Sequence, residues 1–265
     1  MEHEPLPTLF LSHGSPVTAI GKSPARSFWT KLGSSFRHAR AVLCVSAHWE
    51  TWRPAVTSGL TYETIHDFYG FPPELYQLTY AADGDPALAE RVALLVEQAS
   101  IPCSVDPRRG LDHGAWVPLR SMFPEADVPV LQLSIQNHLD PAAHLALGAA
   151  LQELRHDGVL VLGSGGAVHP LGYAGRRGMD PLTDEWAMSF EKWLVDVLAR
   201  GDAGSLLRYR ALSPYPERAH PRPDHLMPLF VALGAAGPAA TGRVLHQSWA
   251  RGDMSMAVFE LADPR

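Results

Sequence analysis

Histidine is the residue type that offers the most chemistry in this 265-residue chain, which contains 13 copies. Five of them stand at the ends of apolar segments or beside glycine, aspartate or proline, where a side chain can face a crevice. Imidazole binds iron, zinc and copper, and it also takes up and releases protons near neutral pH. A group of this size predicts a metal centre with further histidines for proton transfer. The five are His13, His48, His113, His169 and His225.

Predicted strands should bring three of these histidines together. His13, His48 and His169 each follow a short apolar segment bounded by glycine, proline or serine, as is typical of buried strands. Ligands of open α/β sheets collect at the carboxyl ends of the strands, so we expect these side chains to face one crevice. His225 lies where a helix should begin. The predicted buried strands are Thr8–Leu11, Ala41–Val45, Val130–Ser134 and Val159–Leu162.

Helical patterns lie between the predicted strands. Asp85-Pro86 and Asp140-Pro141 each combine an N-cap residue with proline at the first helical position, and apolar residues follow at helical spacing. A third amphipathic helix is expected to begin near Thr183. This alternation of strands and helices predicts an α/β fold.

In this fold a central, mixed and largely parallel sheet should carry helices on both faces. Two later apolar segments, Arg243–His246 and Ser255–Leu261, are expected to add antiparallel strands. The sequence has no repeat or linker, so residues 1–265 are predicted to form one catalytic domain. The loops Thr61–Pro73 and Leu171–Pro181 are long for a compact domain and are candidates for lining a pocket.

Composition argues against several classes of protein. Acidic residues outnumber basic ones by 28 to 22, and no basic cluster is long enough to follow a phosphate backbone. No apolar run approaches the roughly 20 residues of a membrane helix, and residues 1–4 lack the features of a signal peptide. Cys44 and Cys103 lie in apolar stretches expected to be strands, not in a disulfide framework. We expect a cytoplasmic protein without nucleic-acid or membrane partners, in a compartment that keeps iron ferrous.

Two competing motifs fail on closer reading. The segment 163–168 begins like a dinucleotide-binding loop after a strand, but Val168 stands where the third glycine of that fingerprint is required. Ser15 and Ser164 each adjoin glycine, yet neither lies in the G-x-S-x-G pattern of a hydrolase nucleophile. A serine hydrolase is therefore only weakly supported.

The motifs around the histidines resemble those of one enzyme family, in order along the chain. They are Ser-His-Gly-Ser-Pro, Ser-Ala-His-Trp-Glu, His-Asp-Phe-Tyr-Gly-Phe-Pro, Arg-Gly-Leu-Asp-His-Gly-Ala-Trp-Val-Pro-Leu and Pro-Asp-His-Leu-Met-Pro-Leu. The chain resembles the class III extradiol ring-cleaving dioxygenases, in particular the DOPA 4,5-dioxygenase branch, from about Leu9 to Phe259. The fold of that family is an α/β sandwich around a mixed sheet, in agreement with the predicted elements.

The resemblance implies a set of metal ligands. His13, His48 and His225 match the residues that hold a non-haem iron(II) in this family, and zinc would tolerate the same three histidines. Glu50 and Asp224 adjoin two of these ligands. We expect both carboxylates to support the ligands or to lie at the surface.

The resemblance also implies residues for catalysis and for substrate binding. His169 matches the catalytic histidine of the family, although Pro170 follows it where asparagine is usual, and His113 matches a further pocket histidine. His66 and Tyr69 lie in the segment expected to meet the substrate. His169 is assigned as the base for a catechol hydroxyl, and protonated His169 or His113 as the later acid.

The function implied by the resemblance is extradiol cleavage of a catechol with dioxygen at iron(II), giving a muconic semialdehyde-type product. DOPA or a related catecholic acid is the substrate that the branch suggests, and the expected assembly is a monomer or a small homo-oligomer. Two alternatives stay open: a zinc-dependent hydrolase at the same histidines, and a non-catalytic interaction protein on the same scaffold. Supporting, structural or surface roles are assigned to the remaining candidates, His3, His38, His144, His156 and His220.

Overall fold

A central sheet forms the frame of the molecule, and its inner strands are the short apolar segments of the sequence. The structure is a computed structural model, and it describes residues 4–170 and 183–264. Within these ranges the sheet has eight strands, and a separate two-stranded ladder joins β8 to β9. The strands are β1 (Thr8–Ser12), β2 (Ala41–Glu50), β3 (Ala55–Thr57), β4 (Ser104–Asp106), β5 (Val130–Ile135), β6 (Val159–Gly165), β7 (Thr241–His246), β8 (Trp249–Ala250), β9 (Met254–Ser255) and β10 (Val258–Ala262).

The order of the strands places three carboxyl ends side by side. The sheet runs β4-β3-β5-β2-β6-β1-β10-β7, and β6 pairs in parallel with both β2 and β1. Antiparallel pairs join β10 to β1 and to β7, as predicted for the two late segments, and β3 to β5. The prediction of a mixed, largely parallel sheet is confirmed.

Helices cover both faces of the sheet because its strands are apolar on both sides. Leu9 and Leu11 of β1 belong to the core shared with α1 and α3, whereas Phe10 belongs to the core shared with α2, α4, α5 and α9. This arrangement confirms the predicted α/β architecture. The helices are α1 (Pro24–Ser35), α2 (Pro86–Gln98), α3 (His113–Met122), α4 (Pro141–Ala149), α5 (Glu185–Ala199), α6 (Ala203–Leu207), α7 (Tyr209–Leu212), α8 (Pro216–Ala219) and α9 (Met227–Ala236).

Two of the predicted helices, α2 and α4, begin with a side-chain capping bond. The Asp85 side chain accepts a hydrogen bond from the backbone N–H of Leu88, and Asp140 accepts one from Ala143. Each bond satisfies a donor that the first helical turn leaves unpaired. The third predicted helix begins at Glu185, two residues after the expected position at Thr183.

Other local predictions need correction or fall outside the described residues. His48 lies inside β2 and not after it, because the strand continues to Glu50 past a break in its register with β5. Cys103 directly precedes the short strand β4 and is not part of it. The loop Leu171–Pro181 lies outside the described residues. Within residues 4–170 and 183–264, no helix combines the length and the apolar character needed to cross a membrane.

Candidate active site

The five candidate histidines gather at the edge of the sheet where β2, β6 and β1 end. His13 follows β1, His48 is near the end of β2, and His169 comes after β6. His113 is the first residue of α3, and His225 lies two residues before α9. The contacting rings of four of them, His13, His48, His113 and His225, have centroids 3.9 to 5.4 Å apart. His169 stacks on His225 with centroids 3.5 Å apart. The crevice expected from the sequence brings all five rings together.

His13 and His48 have the spacing of two ligands on one metal ion. Their Nε2 atoms are 3.0 Å apart. Two nitrogens that each bind a metal at about 2.0–2.1 Å lie about 3 Å apart when the bonds are near right angles. His113 adds a third imidazole, because one ring nitrogen of each of these histidines lies within 4.8 Å of the others. The geometry therefore suits a divalent cation at this point.

His225 adds a fourth imidazole to the group, next to His13 and His48. Its ring is 4.9 Å from that of His48 and 5.3 Å from that of His13. Asp224 Oδ1 is 3.1 Å from His225 Nδ1, but the contact lacks hydrogen-bond geometry. Within the described residues, neither ring nitrogen of this buried histidine has a hydrogen-bond partner. A bound metal would satisfy a nitrogen that is costly to leave unpaired in the interior.

A carboxylate also contacts His113, from the side away from the cluster. Asp67 Oδ1 accepts the His113 backbone N–H at 3.0 Å, and Asp67 Oδ2 is 2.9 Å from His113 Nδ1. The second contact lies off the axis of the N–H bond, as catalytic hydrogen bonds often do before substrate binds. Asp67 is a residue that sequence reasoning missed. It adjoins His66 in one of the quoted motifs, but its contact 46 positions along the chain has no local signal.

Burial keeps His13, His48 and His169 uncharged at neutral pH. Desolvation, followed by repulsion from His48, holds the pKa of His13 well below its usual value. Desolvation, followed by the charge of His113, lowers the pKa of His48 to about 3, and desolvation lowers that of His169 to about 4. Burial would raise the pKa of Asp67, but the contacts with His113 outweigh it and lower the pKa to about 2. At neutral pH the site presents neutral nitrogen lone pairs, the form that metals bind.

Glycines of β6 allow His225 to reach this cluster. A Cβ atom on Gly165 would lie 2.0 Å from the His225 backbone oxygen, and the same oxygen accepts the N–H of Gly166 at 2.9 Å. A Cβ on Gly163 would lie 2.4 Å from the Pro228 backbone oxygen. The glycine-rich segment that resembled a nucleotide loop is thus the surface on which the start of α9 and the segment before it are docked.

The predicted substrate segment packs beside the cluster through one aromatic ring. Phe68 meets His113 edge to face, with centroids 5.8 Å apart. His66 packs against Phe68 and Trp116, and its Nε2 donates a hydrogen bond to the backbone oxygen of Leu78. Tyr69 is 92% exposed. The segment thus presents Phe68 towards the histidines and Tyr69 towards solvent.

The carboxylates beside two of the histidines pair with an arginine. Arg222 Nη2 lies 2.6 Å from Glu50 Oε1, and its Nε lies 3.2 Å from Asp224 Oδ2. The buried His220 has its Nε2 3.0 Å from the backbone oxygen of Ala167, to which it donates.

Three of the histidines to which the sequence assigns structural or surface roles lie away from the cluster, and a fourth is outside the described residues. His144 is buried, donates from Nδ1 to the Asp140 oxygen and accepts the Gln136 N–H at Nε2. His38 and His156 are exposed, and His3 lies outside the described residues.

Comparison with known proteins decides the family. Residues 7–259 match the model of the family described as the catalytic LigB subunit of aromatic ring-opening dioxygenase. The chain belongs to this family. It is therefore an enzyme of the ring-opening dioxygenase class, an oxidoreductase, and this decides against both the hydrolase and the interaction-protein alternatives.

Relatives of this dioxygenase cover nearly the whole chain. It is 44% identical to a "4,5-DOPA dioxygenase extradiol" of Beta vulgaris over 96% of this chain and 95% of the relative. It is 38% identical to a protein of the same name in Escherichia coli K12, over 87% of this chain and 85% of the relative. A crystal structure of an uncharacterized protein of Escherichia coli K12 matches with a TM-score of 0.78 and 31% identity, over 96% of this chain and 99% of that one. The resemblance to the extradiol dioxygenases found in the motifs is confirmed.

Proposed function

We propose that this dioxygenase opens the ring of a DOPA-like catechol, beside its two hydroxyls, at a ferrous iron held by His13, His48 and His225. The names of the relatives from Beta vulgaris and Escherichia coli support DOPA as the type of substrate. The observation that carries the proposal is that the crevice holds more imidazoles than a metal needs. Three can bind the ion while His113 and His169 stay free for proton transfer.

The partners of each ring support this division of roles. His13 and His48 have facing Nε2 atoms 3.0 Å apart, and His225 is buried with neither nitrogen satisfied among the described residues. A carboxylate lies behind each of the two remaining rings: Asp67 is 2.9 Å from His113 Nδ1, and Asp224 is 3.1 Å from His225 Nδ1. The two rings differ at Nε2, because the buried Nε2 of His225 has no hydrogen-bond partner among the described residues and a metal would satisfy it. We therefore assign His225, and not His113, as the third ligand.

Ferrous iron, when bound, would hold a catechol and dioxygen side by side and carry charge between them. Zinc fits the same nitrogens but would not supply this redox chemistry. His169 is neutral and stacked beside His225, so it can accept the proton of a substrate hydroxyl. His113, oriented by Asp67, then returns a proton as the ring opens to a muconic semialdehyde-type product.

The aromatic wall beside the cluster, formed by Phe68 and His66, suits a planar substrate. Phe68 lies edge-on to His113 and can pack against an aromatic ring held at the histidines. His66 supports that wall, and Tyr69 is available from the same segment to contact the substrate. We further propose a cytoplasmic location, which suits ferrous iron and the free thiols of Cys44 and Cys103.

Oxygen uptake under an absorbance scan tests the function. The protein is stripped of metal, reloaded anaerobically with Fe(II), and mixed with DOPA, protocatechuate or catechol. We expect uptake with a yellow ring-opened product, with DOPA preferred, and no turnover when zinc replaces iron. No uptake with any catechol, despite tight Fe(II) binding, would overturn the proposal.

Three histidine variants test the roles. His225→Ala should lose both the bound iron and oxygen uptake. His169→Ala and His113→Ala should keep the iron and lose roughly 10²- to 10⁴-fold in kcat, the usual contribution of general acid–base catalysis. His144→Ala is the matched control, because this buried histidine contacts Gln136 and Asp140 instead of the cluster. Retention of iron in His225→Ala with its loss in His113→Ala would reverse our assignment.

A further inference from the structure

Ser164 is a buried hydroxyl at the centre of the site that neither metal binding nor proton transfer uses. It lies in β6 between Leu11 of β1 and Ser46 of β2, and it is fully buried. The sequence raised it only as a weak candidate nucleophile. Its hydrogen bonds indicate a role other than that of a nucleophile.

The hydroxyl proton of Ser164 is already used in a hydrogen bond. Its Oγ donates to the backbone oxygen of Gly114, and a carbonyl oxygen can only accept a hydrogen bond. His13 Nδ1 lies 3.0 Å from the same Oγ. A hydroxyl has one proton to give, so it must accept from His13, and His13 carries its proton at Nδ1.

This tautomer leaves the lone pair of His13 on Nε2, the nitrogen that faces His48 Nε2 at 3.0 Å. We infer that Ser164 is a positioning residue that fixes the Nδ1–H tautomer of His13 and so presents Nε2 to the metal. The inference rests on the metal centre of the proposed function and names a residue that prepares it. Metal-binding histidines generally need such an acceptor for their other nitrogen.

The same hydroxyl links the metal ligand to the residue after His113. Gly114 stands in the first turn of α3, so its bond to Ser164 ties the start of this helix to β6. One side chain thus holds a metal ligand and the backbone beside the proposed acid. The hydrogen bond from His13 also argues against Ser164 as a nucleophile, because a histidine that donates to the hydroxyl cannot take its proton.

Metal affinity tests this role without any substrate. The chain is stripped with a chelator and titrated with Co(II), followed by visible absorption, in wild type, Ser164→Ala and Ser134→Ala. We expect Ser164→Ala to weaken Co(II) binding by about 10- to 100-fold. Ser134→Ala is the matched control: this buried serine of β5 bonds to Ala55 and Thr51, and its loss should leave the affinity unchanged.

The tautomer itself can be read by ¹⁵N NMR of labelled histidine in the metal-free wild-type chain, with the His13 signals assigned from a His13→Gln variant. We expect a proton at Nδ1. A proton at Nε2, or equal Co(II) affinities in Ser164→Ala and wild type, would overturn the inference. A wild-type protein that binds metal with this tautomer but opens no catechol would overturn the proposed function alone.

Discussion

The surroundings of the two ring nitrogens separate residues of identical type in this site. His13 Nδ1 has the Ser164 hydroxyl. His113 Nδ1 and His225 Nδ1 each have a carboxylate oxygen, at 2.9 and 3.1 Å. A hydroxyl acceptor fixes a tautomer without adding charge, whereas a carboxylate also favours the proton-bearing form of the ring. His225 differs from His113 at the other nitrogen, because its buried Nε2 has no hydrogen-bond partner among the described residues. The environment of each ring, and not its residue type, therefore distinguishes ligands from proton carriers.

Replacement of Asp67 is the first prediction for single residues. In Asp67→Asn, the amide oxygen can still accept the His113 backbone N–H, but the amide N–H₂ group faces Nδ1 and favours the opposite tautomer. We expect kcat to fall about 10- to 100-fold, at or below the lower end of the roughly 10²- to 10⁴-fold that general acid–base catalysis supplies, because His113 itself is retained. Iron content should stay the same. Steady-state oxygen uptake and iron analysis measure the two effects.

The control for this variant is Asp196→Asn, because Asp196 pairs only with the exposed Lys192 among the contacts seen. It should leave kcat unchanged. An Asp67→Asn variant that turns over at the wild-type rate would show that His113 needs no carboxylate behind it.

The sequence predicts a site residue only where its role is visible in the residues next to it along the chain. The five histidines were recognisable because each adjoins glycine, aspartate or the end of an apolar run. Asp67 and Ser164 were not assigned, because their contacts with His113 and His13 join positions 46 and 151 residues apart. Such contacts exist only once the strands are ordered in the sheet, and that order has no local pattern in the sequence.

At the scale of elements, glycines set how closely helices approach the sheet and one another. The buried helix α9 packs against α4 where a Cβ on Gly148 would lie 2.0 Å from the Val231 oxygen. Gly234 makes the reciprocal approach, with its Cβ position 2.1 Å from the Leu145 oxygen. Together with Gly165 on β6, these positions fix the height at which α9 and the preceding His225 sit above the sheet.

Gly165→Ala is the prediction for this scale. The added methyl group would overlap the His225 backbone oxygen, so this segment must move away from β6. Overpacking of this kind costs roughly 1–3 kcal/mol of unfolding free energy, and the displaced ligand should also weaken iron binding. Urea unfolding and metal titration measure both. Gly204→Ala in α6 is the matched control, since its Cβ would meet only ordinary contact at 3.6 Å, and equal metal binding in both variants would contradict the prediction.

Element ends that depend on nearby residues were predicted closely, whereas strand ends that depend on pairing with another strand were not. The caps at Asp85 and Asp140 use side chains within three residues of their targets, so the sequence alone reveals them. The end of β2 was misplaced because its continuous apolar run stops at Val45, whereas pairing with β5 across a break in register carries the strand on to Glu50. Strand boundaries of this kind depend on a neighbour distant in sequence.

At the scale of the whole molecule, burial of neutral histidines links stability to pH. His13, His169, His220 and His225 all have their pKa lowered, in each case chiefly by desolvation. The unfolded chain binds protons at these positions near pH 6.5, whereas the folded chain does not. The single-domain organisation and the expected monomer or small homo-oligomer stay predictions at this scale.

His220 offers a clean test of this linkage, because it is fully buried and burial lowers its pKa to about 3. Between about pH 6.5 and 3 the unfolded state holds the extra proton, so the unfolding free energy of the metal-free protein must fall as pH falls. One histidine contributes up to about 1.4 kcal/mol per pH unit in this window and nothing above it. Urea unfolding at pH 7.5, 6.0 and 5.0 measures the slope. His220→Gln, whose amide can still donate to the Ala167 oxygen, should reduce the slope below pH 6.5, whereas His38→Gln at the exposed surface should not. An unchanged slope in His220→Gln would mean that this histidine becomes charged without unfolding.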